Sequence, residues 1–240
     1  YGPNINQNTE DNIYFLNESE LNGWQCIWDN GGTDTISAES ALKPVSIDPR
    51  NATLQNNVGG GGYVSQIGTD SKGMTIAFNS TGNCIIENAI GSISNDTLRG
   101  NLSSNSLMGN KGKDYLYGMN GDDLLDGGTG IDIMYGGAGN DKLYGNEGED
   151  WLYGGAGDDL IDGGTGSNTG SENDRIDFRS EKSAVTVDLQ AGTATGATIG
   201  NDSLLNIERV IGSDYDDKLY GSKNNDSFSI FFVLSKLSQK

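Results

Sequence analysis

Between Gly91 and Asp162 an apolar side chain returns at every ninth position: Leu98, Leu107, Leu116, Leu125, Met134, Leu143, Leu152 and Ile161. The eight units read GSISNDTLR, GNLSSNSLM, GNKGKDYLY, GMNGDDLLD, GGTGIDIMY, GGAGNDKLY, GNEGEDWLY and GGAGDDLID, with no residue gained or lost between copies. In each, the eighth residue is apolar and its neighbours are mixed, which predicts a short strand, long enough only for the last three places, with its centre pointing inward. Glycine crowds the first, second and fourth places, where a sharp turn needs φ > 0. A period this short belongs to stacked units that bury a core only against their neighbours. Two units of turn plus strand close one coil of eighteen residues. The pattern predicts an all-β fold, a parallel β-roll or β-solenoid, over residues 91–166.

The sixth place carries the chemistry. It holds Asp96, Asn105, Asp114, Asp123, Asp132, Asp141, Asp150 and Asp159. Coiling stacks Asp114 over Asp132, Asp123 over Asp141, Asp132 over Asp150 and Asp141 over Asp159, at a sheet spacing of about 4.8 Å. Carboxylates that close repel. A Ca2+ ion between successive turns, held by two such side chains and by turn carbonyls, removes the repulsion, and Gly-Gly-x-Gly-x-Asp-x-apolar-x is the sequence form of a calcium-bound β-roll. Several ions, about five to eight, are expected from the stacked turns. Ordinary turn-forming Asp residues do not repeat in register over eight units.

Charge sharpens this picture. The chain has 34 acidic and 15 basic residues, a net charge of −19. Without cations, self-repulsion and a narrow core predict an expanded chain that folds as calcium binds. Nucleic acid is disfavoured as a partner, since nothing forms a basic stripe.

The flanks differ in texture. Residues 1–90, with Trp24, Trp28 and turn-rich stretches such as Gly59–Gly62, read as an irregular N-terminal β cap and linker over the open end of the roll. Residues 167–211 read as a β spacer of alternating strands, Val185–Leu189 being the clearest. Residues 212–240 read as a degenerate repeat with Asp217 and Asp226 in the sixth places, the start of a second, shorter roll, and a tail. The longest apolar run, Ile230–Leu234, is too short to span a bilayer. The opening at Tyr1 without Met reads as a fragment or processed product. For Cys26 and Cys84 two readings stand: one disulfide in an oxidising compartment, or two small buried hydrophobes.

Three segments carry a family resemblance: Tyr1-Gly2-Pro3-Asn4, Cys26 through Ile36 with its Trp-Asp-Asn-Gly-Gly-Thr-Asp text, and Ile86-Glu87-Asn88-Ala89-Ile90-Gly91 running into the repeats. With the repeats, they make residues 1–162 resemble the C-terminal domain of serralysin-type secreted zinc metallopeptidases of the RTX group. The resemblance implies a calcium site in the cap at Asp29, Gly31, Gly32, Asp34 and Glu87, the glycines acting through their carbonyls. The linker residues Asn8, Glu10 and Asn12 differ in type from the family. It also implies an extracellular protein exported by a type I secretion apparatus; an alternative reading is the C-terminal fragment of a secreted zinc metalloprotease whose catalytic domain lies upstream. The segments SAVTVDLQAGTATG and GNDSLLNIERVIGSDYDDKLYG resemble the spacer between RTX repeat blocks. The tail FSIFFVLSKLSQK reads as an export signal or a truncated roll, and it lacks the family's acidic-then-apolar ending.

Catalysis is not supported by the residues. The chain has no histidine, so the extended His-Glu-x-x-His zinc site of that family is absent and no peptidase activity is expected. Pairs such as Asp122-Asp123 and Asp158-Asp159 fall in register with the calcium turns rather than forming a glycosidase pair. Aromatic residues recur in outer positions, Tyr117, Tyr135, Tyr144 and Tyr153 in the ninth place and Tyr115 and Trp151 in the seventh. They motivate a rival reading, an adhesion or polysaccharide-binding module like those attached to alginate epimerases, against simple cross-strand packing. The expectation is a noncatalytic, monomeric calcium-binding module.

Overall fold

A computed structural model describes residues 4–5, 10–16, 24–27, 31–49, 65–68, 73–76, 85–164, 173–222 and 226–229. Every named element among them is a strand, and the strands form two sheets, one of 12 strands and one of 11. Through the repeats, successive strands alternate between the sheets, and each pairs in parallel with the strand one coil away. The fold is a parallel β-roll.

The inward column forms as the sequence pattern requires. Leu98, Leu116, Met134 and Leu152 are register partners in one sheet, and Leu107, Leu125, Leu143 and Ile161 in the other. All eight are at most 1% exposed, so the core is a narrow seam between two sheets. Each coil can bury its seam only against the coils above and below it.

Strands are longer than three residues in the central units. Tyr115–Asn120, Leu124–Thr129, Ile133–Ala138, Lys142–Glu147 and Trp151–Ala156 each run six residues, through the glycines that the sequence places in the turn. The pairing Met119↔Gly137 and Gly128↔Asn146 shows why. Coils of equal length keep even these residues opposite one another, so the backbone ladder continues across the bend. Glycine is needed most at the fourth place. Gly130 has φ 132°, and a Cβ there would lie 1.6 Å from the Gly112 carbonyl oxygen of the preceding coil.

Both flanks join the same two sheets. On the N-terminal side, Ile13–Phe15, Thr35–Ser37 and Asn88–Ile90 stack in order onto Ser106–Met108, extending the seam through Tyr14, Ile36 and Ala89. Val45–Ile47 covers Thr97–Arg99 in the other sheet. On the C-terminal side, Arg175–Asp177 pairs with Trp151–Ala156, Arg209–Ile211 follows it, and Ser227–Ser229 follows that. Gly200–Leu205 pairs with Leu160–Asp162. The register break expected after Gly166 is thus a longer excursion between coils, and the described strands beyond it extend the first roll rather than start a second one. Within the excursion Val185–Asp188 and Thr193–Gly196 form an antiparallel hairpin, whose Val185, Val187 and Ala194 are buried with Phe178 and Ile199.

Outer aromatic side chains pack against one another. Tyr117, Tyr135 and Tyr153 stack with centroids 5.1 and 4.4 Å apart and planes within 1° and 16°. The Arg99 guanidinium lies 4.2 Å from the Tyr117 centroid at one end, and the Tyr153 hydroxyl donates to Asp177 Oδ2 at the other. Trp151 is covered by the Arg175 guanidinium at 3.1 Å. Tyr144 belongs to the other sheet, between Asp126 and Asp162, and stands outside this row. In the Tyr117–Tyr135–Tyr153 row and at Trp151 ring faces are covered by neighbouring side chains, as cross-strand packing requires.

Because Leu143 is fully buried at the centre of the seam, Leu143→Ala is expected to destabilise the calcium-saturated chain by about 2–5 kcal/mol. Leu102→Ala, at an 82% exposed position, is expected to change it little. Denaturant unfolding of both variants checks this; equal effects would contradict the seam.

Candidate metal centre

The sixth-place residues form two columns, one at each bend of the roll. In the first, the Asp96 N–H donates to Asp114 Oδ1 at 2.7 Å, that of Asp114 to Asp132 Oδ1 at 2.8 Å, and that of Asp132 to Asp150 Oδ1 at 2.7 Å. In the second, the Asn105 N–H donates to Asp123 Oδ1 at 2.7 Å, and the Asp123 and Asp141 N–H groups to Asp141 and Asp159 Oδ1 at 2.8 Å each. Each carboxylate therefore reaches back to the turn of the preceding coil and satisfies a backbone donor there.

The other carboxylate oxygen is the informative one. Oδ2 of Asp114, Asp123, Asp132, Asp141 and Asp159 is buried and has no hydrogen-bond partner. It lies against the first-place glycine of its own unit: a Cβ on Gly136 would sit 2.4 Å from Asp141 Oδ2. Burial pushes these carboxyls above the usual carboxylate range, Asp114 to about 8, Asp123 to about 7, and Asp132, Asp141 and Asp159 to about 6. For Asp114, the charges of Asp132 and Asp96 add to the effect. Such a group needs a proton or a cation.

A hard cation fits this donor set. Among the described residues no three His, Cys, Asp or Glu side chains converge on one point, so one site cannot be made of side chains alone. The columns supply one carboxylate per coil, and the turns supply main-chain carbonyls, a mixture that suits calcium.

Asp96 differs from the rest. Its carboxylate accepts from the Val45 N–H at 2.7 Å and from both the N–H and the hydroxyl of Ser92, so the chain itself already partners both oxygens. Asp217 accepts from the Val185 N–H at 2.9 Å and the Ser213 hydroxyl at 2.6 Å through Oδ1, while its Oδ2 is buried without a partner.

The cap residues follow the same rule. The Asn12 N–H donates to Asp34 Oδ1 and the Asp34 N–H to Glu87 Oε2, each at 2.8 Å, so Asp34 and Glu87 head the second column above Asn105. Gly31 and Gly32 have φ 136° and 118°, and a Cβ on Gly32 would lie 2.5 Å from the Glu10 carbonyl oxygen. Asp29, Trp28, Asn8 and Cys84 lie outside the described residues, and with them the cysteine pairing and one member of the cap site.

Sequence reasoning missed Asp174, Asp202 and Glu208. The Asp150 N–H donates to Asp174 Oδ1 at 2.8 Å, the Asp174 N–H to Glu208 Oε2 at 3.1 Å, and the Asp159 N–H to Asp202 Oδ1 at 3.1 Å. The three extend the columns beyond the repeats. The signal was present as an acid two places before an inward apolar residue, in Asp174-Arg175-Ile176, Asp202-Ser203-Leu204 and Glu208-Arg209-Val210. Insertions hid it from a fixed nine-residue count.

Comparison with known proteins agrees with this geometry. No curated protein matches the chain significantly. The family model of the RTX calcium-binding nonapeptide repeat matches in four copies, at residues 90–125, 99–134, 135–170 and 206–229. The turns that carry the two carboxylate columns from Asp96 to Asp159 lie within the residues that this model matches.

Proposed function

We propose that this chain is a noncatalytic calcium-binding module whose β-roll folds as ions enter between successive turns. The observation that carries the reading is the set of buried Oδ2 atoms without partners on Asp114, Asp123, Asp132, Asp141 and Asp159, each beside a backbone bend. Asp114, Asp123, Asp132, Asp141, Asp150 and Asp159 are assigned as the ligands of the roll. Asp96 and Asp217 are its ends, and Asp29, Asp34, Glu87 and the carbonyls of Gly31 and Gly32 form the cap site. Calcium, when bound, supplies the positive charge that these columns lack; the residues supply position and exclude water. In this reading residues 1–90 cap the roll, 91–166 are its repeats, 167–211 the spacer, and 212–240 the degenerate repeat and tail.

Resemblance to serralysin-type domains supports a secreted, extracellular protein that leaves by a type I apparatus, with the C-terminal fragment of a secreted zinc metalloprotease as the alternative. Millimolar external calcium would then fold a chain that stays open inside the cell, in keeping with the 10⁻⁴ to 10⁻³ M affinities of extracellular modules. The polysaccharide reading is disfavoured by the stacked ring faces.

Calorimetric titration with calcium, with magnesium as control, tests the assignment. Asp132→Asn is expected to raise the half-saturating calcium concentration about tenfold, equivalent to about 1.4 kcal/mol. Glu149→Gln, at an exposed place in the next turn, should leave it unchanged. Identical titrations for both variants would refute the ligand assignment.

The sign of the pH dependence also follows. Carboxyls raised from 3.8 to about 6–8 in the fold bind protons more tightly there than in the open chain. Their contribution to calcium-free stability is fully present below the open-chain value and is lost as pH rises through the folded values. The EDTA-treated chain is therefore expected to gain β signal in far-UV circular dichroism on acidification from about pH 8 toward pH 4. Calcium affinity should fall over the same range, since protons compete for the same oxygens. A metal-free spectrum that loses β signal on acidification would contradict this.

A further inference from the structure

The second column does not stop where the nine-residue text stops. Beyond the hairpin, Gly200–Leu205 returns to pair in parallel with Leu160–Asp162 and antiparallel with Thr193–Gly196. Its opening residues, Gly200-Asn201-Asp202, lie over Gly157-Asp158-Asp159 as those lie over Gly139-Asn140-Asp141, and four contacts repeat between the two pairs. A Cβ on Gly200, at φ 70°, would lie 2.5 Å from the Gly157 carbonyl oxygen; on Gly157 it would lie 2.0 Å from that of Gly139. The Asn201 N–H donates to Asp158 Oδ1 at 2.8 Å, as the Asp158 N–H does to Asn140 Oδ1 at 2.8 Å. The Ser203 N–H donates to the Asp159 carbonyl at 2.7 Å, as the Leu160 N–H does to that of Asp141 at 2.9 Å. The Asp159 N–H donates to Asp202 Oδ1, 43 residues away, as the Asp141 N–H does to Asp159 Oδ1.

From this replication we infer that residues 200–202 form one more cation-binding turn, so that a calcium ion is held between Asp159 and Asp202 across the hairpin insertion. Asp202 is 2% exposed, and Asp159, equally buried, has an Oδ2 without a partner. The repeat model leaves residues 171–205, and with them Asp202, unmatched, while Asp159 lies within its span 135–170. Ordinary coils are made of two nine-residue units; here the ion would fix a hairpin of unrelated sequence to the roll. Residues 173–211 then become part of the calcium-dependent unit. The inference rests on the repeats binding calcium.

Equilibrium dialysis of the full chain at saturating calcium separates the two claims. Wild type and Glu149→Gln are expected to bind the same number of ions, and Asp202→Asn one fewer. An Asp202→Asn chain that folds and binds as many ions as wild type overturns the inference while leaving the repeat sites standing. A wild-type chain that binds no calcium overturns both. Amide hydrogen exchange of the wild type decides the matter should Asp202→Asn fail to fold. Protection of 200–205 arising at the same calcium concentration as that of 160–162 supports the site, and protection of 200–205 already present in EDTA overturns it.

Discussion

Carboxylates stacked one coil apart, each turned inward and away from water, are the constraint on which the rest of this molecule depends. The nine-residue spacing brings the bends into register, and register places each Asp directly against the turn of the coil before it. At Asp114, Asp123, Asp132, Asp141 and Asp159 one oxygen serves the fold by accepting a backbone N–H, while the other is left in a buried position without a hydrogen-bond partner. Hydrogen bonding alone cannot stabilise such a column, because burial and like charge both act against ionised carboxylates. A divalent cation offsets both at once. Under the proposed function, binding and folding would be a single equilibrium, with the ions standing where a globular protein would have a thick core.

The seam between the sheets is correspondingly thin. Within the repeats a single apolar residue per strand, from Leu98 to Ile161, belongs to the buried core, and both sheets owe their stability to stacking along the axis. Ends matter in such a structure because the first and last coils expose unpaired edges. At one end, strands of the cap continue the coils with irregular spacing. Toward the other, the hairpin at 185–196 packs Val185, Val187 and Ala194 into the same apolar cluster.

Much of this was legible in the chain. The period, the inward column and the parallel roll follow from counting, because stacked coils of equal length admit no alternative register. The Asp columns followed from the same count. What the text concealed was what insertions carry. Asp174 follows Asp150 by 24 residues where Asp150 follows Asp132 by 18, and Asp202 follows Asp159 by 43, so residues that are neighbours in space fall out of period in sequence. Strand length was also concealed, since glycine signals a turn locally but pairs across coils when its partners are glycines too. The aromatic row follows the eighteen-residue coil: Tyr117, Tyr135 and Tyr153 share one sheet, while Tyr144, nine residues from Tyr135, belongs to the other.

The central claim is that metal and fold are one equilibrium, and far-UV circular dichroism of the EDTA-treated chain during calcium titration at neutral pH tests it most directly. The account predicts a cooperative transition from coil to β between sub-millimolar and millimolar calcium, absent when magnesium is added instead. A spectrum already rich in β structure in EDTA, and unchanged by calcium, would contradict it and leave the carboxylate columns as turn formers only.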